Sequence, residues 1–111
     1  MPSKSATTLS EATMEIVRVR ARVNRFLLSQ VGSNFSASEP ELDAANAQWR
    51  VPILMITPGL IVGEVGEAVV AQQTREITSH TAIEQMHAAA VELRRQHHAE
   101  IEAAFLRARK I

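Results

Sequence analysis

Apolar positions along the chain change period twice. From Leu9 the residues Leu9, Ala12, Ile16, Val19, Val23, Phe26 and Leu27 recur every three or four positions. That spacing draws one apolar stripe and predicts an amphipathic helix to about Val31, closed by Gly32. Thr8-Leu9-Ser10-Glu11 reads as its capping box, which leaves residues 1–8 as a flexible arm and 9–111 as a single domain. From Trp49 the period drops to two. Trp49, Val51, Ile53, Met55 and Thr57 alternate with Arg50, Pro52, Leu54, Ile56 and Pro58, a turn follows at Pro58-Gly59, and a β-branched run continues from Leu60 to Ala71. These are two long strands folded back on each other. Gly63 and Gly66 lie inside the second strand, where glycine marks a bulge or a close backbone approach.

Shorter signals fill in the rest. Phe35 to Glu39 suggests a first strand with a polar edge, guarded by Pro40 and its flanking acids. Asp43-Ala44-Ala45-Asn46 suggests a turn into Trp49, and Glu76-Ile77-Thr78 a short last strand. Thr81-Ala82-Ile83-Glu84 reads as a second capping box. After it, Ile83, Met86, Ala90, Leu93, His97, Ile101 and Phe105 return to the helical period, with no Pro or Gly up to the last residue. A continuous helix from Ala82 to Arg109 would be about 42 Å long and would overhang a small sheet from about residue 97. The fold class that follows is α+β: an N-terminal helix, a three- to four-stranded antiparallel meander and a long C-terminal helix, both helices on one face of the sheet.

Composition narrows the chemistry. The 111 residues hold no cysteine, which excludes disulfides, thiolate metal sites and a cysteine nucleophile, and suits a cytoplasmic setting. No apolar run reaches the length of a membrane span, so no membrane association is expected. Formal net charge is zero but uneven: residues 1–31 carry five Lys and Arg against two Glu, residues 32–78 two Arg against six acids, and residues 79–111 five basic against four acidic side chains. A nucleic-acid partner is not expected from that distribution. Of the histidines, His97 lies on the apolar stripe and His98 four residues before Glu102, but no HxxxH spacing offers a metal site. Glu64 and Glu67 stand three apart on a strand and are expected on opposite faces, which denies them a joint acid–base role. No nucleophile, phosphate loop or cofactor signature is present, so the expectation is neither an enzyme nor a cofactor protein.

A helix, a Trp-x-Val strand beginning at Trp49, a hairpin, and a strand ending in the turn at Thr74 to Ile77 resemble the PepSY-like α/β module. The resemblance covers residues 49–77. Ala71 and Arg75 stand where that family often has Asp and Gly. It implies a small antiparallel sheet packed on helices, used for inhibition or partner binding, and it leaves the long C-terminal helix unexplained.

Two function classes remain. In the first, the chain is a non-catalytic protein-interaction module, an accessory or antitoxin-like subunit. Its C-terminal helix docks a protein partner through Arg94, His97, Ile101, Phe105, Leu106, Arg107 and Arg109. The second, apolar face of the hairpin, with Leu54, Ile56 and Val62 set against Ile53, Val65 and Val69, then calls for a homodimer. In the second class the chain is a small-ligand or anion-binding module, with its site between the sheet and the first helix near Trp49, Arg18, Arg22 and Arg25.

Overall fold

The computed structural model describes the backbone of residues 2–109 and the side chains of residues 11–109. The elements in chain order are α1 (Pro2–Gln30), β1 (Phe35–Ala37), β2 (Glu41–Asp43), a single 3-10 turn (Ala44–Asn46), β3 (Gln48–Thr57), β4 (Leu60–Ala71), β5 (Ile77–His80), α2 (Ile83–Gln96) and α3 (His98–Arg109). The expected α+β order of helix, antiparallel sheet and C-terminal helical segment is present. α1 begins ahead of Thr8, so the capping-box residues Thr8 to Glu11 lie within the helix and the segment expected as an arm is helical from Pro2. The side chains before Glu11 lie outside the described residues.

All strands pair antiparallel. The order across the sheet is β1-β3-β4-β5, with β2 pairing the first residues of β3 on the same side as β1. The long β3–β4 hairpin forms the sheet's spine because both strands alternate strictly enough to bury one face. Val19, Val23 and Leu27 of α1 and Met86 and Ala90 of α2 pack on the face formed by Trp49, Val51, Ile53, Met55, Val65, Ala68 and Val70. Phe35 and Ala37 of β1 join that core, so β1 is an apolar strand rather than the polar edge expected from its serines.

The sheet curls so that both of its edges reach α1. On the β1 side, Ala37 N–H donates to Asn24 Oδ1 at 2.8 Å and Ala37 carbonyl accepts from Arg20 at 3.3 Å. On the β5 side, the Phe26 ring meets the His80 ring at 4.6 Å. Nearby, Arg75 in the β4–β5 turn donates to Glu15 at 2.9 Å and Arg22 lies 4.0 Å from Glu76.

Two register shifts bend β4 against β3. Ile53 faces Gly66 but Leu54 faces Glu64, leaving Val65 as an extra residue turned into the core. The bulge reverses the alternation. Glu67 faces Pro52 and Glu64 faces Leu54, two positions apart on β3, so the two glutamates share the outer face. The expectation that they point apart is therefore corrected: it assumed an unbroken strand. The same shifts put Val69, opposite Arg50, on the outer face, while Val62 packs with the core cluster. The glycines admit close neighbours. A Cβ at Gly66 would stand 2.7 Å from Thr81 Cβ, and one at Gly63 would stand 3.0 Å from a Leu93 methyl.

Candidate functional site

The C-terminal helical segment is not one rod. At His97 the backbone leaves helical geometry (φ −115°, ψ 25°) and ends α2. The hydrogen-bond ladder nevertheless continues through it, His97 N–H donating to Leu93 carbonyl and Ile101 N–H to His97 carbonyl, both at 2.9 Å. The result is a bend rather than a loop. α3 packs against β3 and β4, with Ala104 beside the hairpin turn at Pro58 and Gly59, and buries Ile101 and Ala104. The continuous overhanging helix expected from the sequence is corrected accordingly: Ile101 is covered within the domain, while Phe105 and Leu106 stay exposed. At the other end of α2, Thr81 does not form a capping box. Its hydroxyl accepts the Glu67 N–H at 2.9 Å, and Ala82 occupies the N-cap position without a side-chain bond.

The bend builds a composite groove. The segment after α1 is held against α2 by His87, whose Nε2 lies 2.9 Å from the Val31 carbonyl oxygen and whose ring packs on Phe35. Between that segment and α2 runs a groove of about 400 Å³ lined by Ser33, Asn34, Val91 and Arg94. It adjoins a second of about 350 Å³, formed by Ser33, Asn34, Ile56, Thr57, Pro58 and Phe105. A third, of about 340 Å³, is formed by Arg94, His98, Ile101, Glu102 and Phe105. Ser33, Asn34, Arg94 and Phe105 each border two of the three, so the hollows adjoin one another. Their lining is mixed: exposed Phe105 and Val91 and buried Ile101 are apolar, while Ser33, Asn34, Thr57, His87, Arg94, His98 and Glu102 are polar or charged. Thr57 Oγ1 is buried without a hydrogen-bond partner among the described residues.

Charge in and around the groove is mixed, with Arg94, His98 and Glu102 lining one hollow. Arg95 is tied to Glu92 at 2.6 Å, a contact that holds the Glu92 carboxyl below its ordinary pKa. His98 stands 3.4 Å from Glu102 and His97 3.1 Å from Glu100. Arg94 makes no ion pair among the described residues.

Of the side chains expected to meet a partner, Arg94, Ile101 and Phe105 are brought together. His97 turns instead to Glu100. Leu106 is exposed, Arg109 is exposed, and Arg107 borders a separate hollow beside Pro58 and Gly59. Ser33, Asn34 and Val91 were not foreseen. Gly32-Ser33-Asn34 reads from sequence only as a turn, and Val91 falls off the stripe that packs on the sheet.

The arginines of α1 do not converge with Trp49. Trp49 is buried beneath the helix, whereas Arg18 and Arg25 are exposed and Arg22 reaches Glu76. Trp49 Nε1 is buried without a hydrogen-bond partner among the described residues. Among the described residues no three His, Cys, Asp or Glu side chains gather as metal ligands, and no helix is long and apolar enough to cross a membrane. Glu67 is engaged by Arg50 at 3.0 Å on the outer face. No family model matches the chain, and no curated protein and no solved structure matches it.

Proposed function

We propose that the chain is a non-catalytic protein-interaction module, of accessory or inhibitory kind, whose partner seats in the groove between residues 31–34, α2 and α3. The observation that carries this reading is the convergence of an exposed aromatic ring, Phe105, with the cation of Arg94, which makes no ion pair among the described residues. An aromatic anchor beside an arginine is the usual make-up of an interface centre. The partner segment would insert an apolar side chain against Phe105 and Val91 and set a carboxylate on Arg94.

The test is affinity capture with the full chain and with Arg94→Glu and Phe105→Ala. Both residues are exposed, so neither variant should disturb the fold. A protein retained by the wild type and lost by both variants supports the reading. Retention by all three, or no specific protein with the wild type, overturns it.

The homodimer proposal has a separate basis. Leu54 lies on the sheet face opposite the core, and Ile61, at the hairpin end of β4, is the most exposed apolar residue of the sheet. Light scattering on the wild type and on Ile61→Glu decides it: a wild-type dimer that the variant dissolves supports that end of the sheet as the contact.

A further inference from the structure

The outward face of α1 carries a second apolar stripe, distinct from the one that packs on the sheet. Met14, Val17 and Leu28 are 47%, 52% and 67% exposed, and the intervening Ala21 is exposed as well. Met14, Ala21 and Leu28 are seven apart, with Val17 three after Met14. That is the seam of a helix that pairs with another helix, not with a sheet edge. The small side chain of Ala21 at the middle leaves room for close approach. Arg18, one position beyond Val17, and Arg25, three short of Leu28, stand seven apart along one side of the seam, and neither makes an ion pair among the described residues.

These charges decide the occupant. If two copies paired antiparallel about Ala21, position 18 would lie across from 24, so Arg18 of one copy would stand beside Arg25 of the other. If they paired parallel, Arg20 of one would stand beside Arg25 of the other, the usual flank contact of a parallel pair. Both arrangements set arginine against arginine, which opposes self-association. A helix with glutamates or aspartates flanking its own apolar seam reverses the sign of the same contacts.

We infer that the outward face of α1 docks an acidic amphipathic helix of another protein. The surface lies on the first helix, away from the groove of α2 and α3, so the two can be tested apart.

The test uses two synthetic helical peptides with the same Leu and Ile seam, one flanked by Glu and one by Lys, titrated against the full chain by fluorescence anisotropy. The Glu peptide is expected to bind, and the R18E/R25E double variant to weaken it at least 10-fold while gaining affinity for the Lys peptide. Leu28→Asp should weaken binding of either peptide, and Arg94→Glu should leave it unchanged. Far-ultraviolet circular dichroism and the emission of the single Trp49 confirm that each variant is folded. Failure of the Glu peptide to bind the wild type, or binding unaffected by R18E/R25E, overturns the inference. So does loss of binding in Arg94→Glu, which would place the peptide in the other groove. A wild-type dimer that Leu28→Asp dissolves also overturns it, because the stripe is then taken by a second copy. Binding to anionic vesicles in place of the peptide, lost in R18E/R25E, would assign the face to a lipid surface instead.

Discussion

Asn24 Oδ1 accepts the Ala37 N–H at 2.8 Å, across 13 residues of sequence. Ala37 faces Ile53 in a register where its own N–H and C=O point away from β3. The helix therefore supplies hydrogen bonds that a further strand would otherwise make, and shields an edge open to unwanted pairing. Asn24→Ala leaves a partly buried N–H without its acceptor and is expected to cost about 1–3 kcal/mol. Asn24→Asp keeps an acceptor and should retain most of that stability. Urea unfolding followed through Trp49 separates them, and equal losses in the two variants would mean that the bond contributes nothing.

Glu15 and Arg75 tie α1 to the β4–β5 turn, with the guanidinium donating to both carboxylate oxygens. The hydrogen bond from Arg75, reinforced by its charge and by Arg18, holds the Glu15 carboxyl below its ordinary pKa, although partial burial pulls the other way. A lowered pKa in the folded chain means a contribution that is complete above the ordinary glutamate value and is lost as the pH falls through the lowered one. Glu15→Gln should thus be less stable than the wild type at neutral pH, with the gap closing in acid. Both side chains reach solvent, so the gap is modest and should shrink further in high salt. Urea midpoints at several pH values check the sign: a gap that widens in acid contradicts the assignment.

Gly66 lets Thr81 close over β4. A Cβ there would meet Thr81 Cβ and Oγ1, both at 2.7 Å, and the Thr81 hydroxyl is already bonded to the Glu67 N–H. Gly66→Ala must push away the residue that launches α2, and is expected to destabilise by about 1–3 kcal/mol, as overpacking does. Thr81→Ala relieves only part of the crowding and gives up the hydroxyl bond. The double variant should therefore lose less than the sum of the two single ones. Additive losses in a double-mutant cycle would show that the contact is not shared.

What the sequence conveys, and what it withholds, follows from the range of each interaction. The β3–β4 hairpin is legible because its alternation and its Pro58-Gly59 turn are local. Gly63 and Gly66 signal a bulge or close approach in that strand, but not its position, and the shift at Val65 is what puts Glu64 and Glu67 on one face. The core stripe of α1 is legible from its period, but its start is not, since nothing in Thr8 to Glu11 forbids helix on both sides. Within the groove, Arg94, Ile101 and Phe105 follow from one helical stripe and its flank, whereas Ser33 and Asn34 arrive through the His87–Val31 contact, which joins positions 56 apart.

The bend at His97 divides two residues that sequence alone treats as equivalent. Ile101 and Phe105 lie four apart on one apolar stripe, yet Ile101 is buried and Phe105 is half open to the groove. Ile101→Ala should cost about 2–4 kcal/mol, since it removes a buried side chain. Phe105→Ala removes an exposed ring and should stay within about 1 kcal/mol of the wild type. A free arm would behave otherwise, with both substitutions harmless to stability. Ending the chain after Ala99 deletes Ile101 and Ala104 together, so it should destabilise the domain as Ile101→Ala does, and more. Urea unfolding of the three variants decides the point: if truncation leaves the midpoint unchanged, α3 is not part of the folded unit and the groove built on it does not persist in solution.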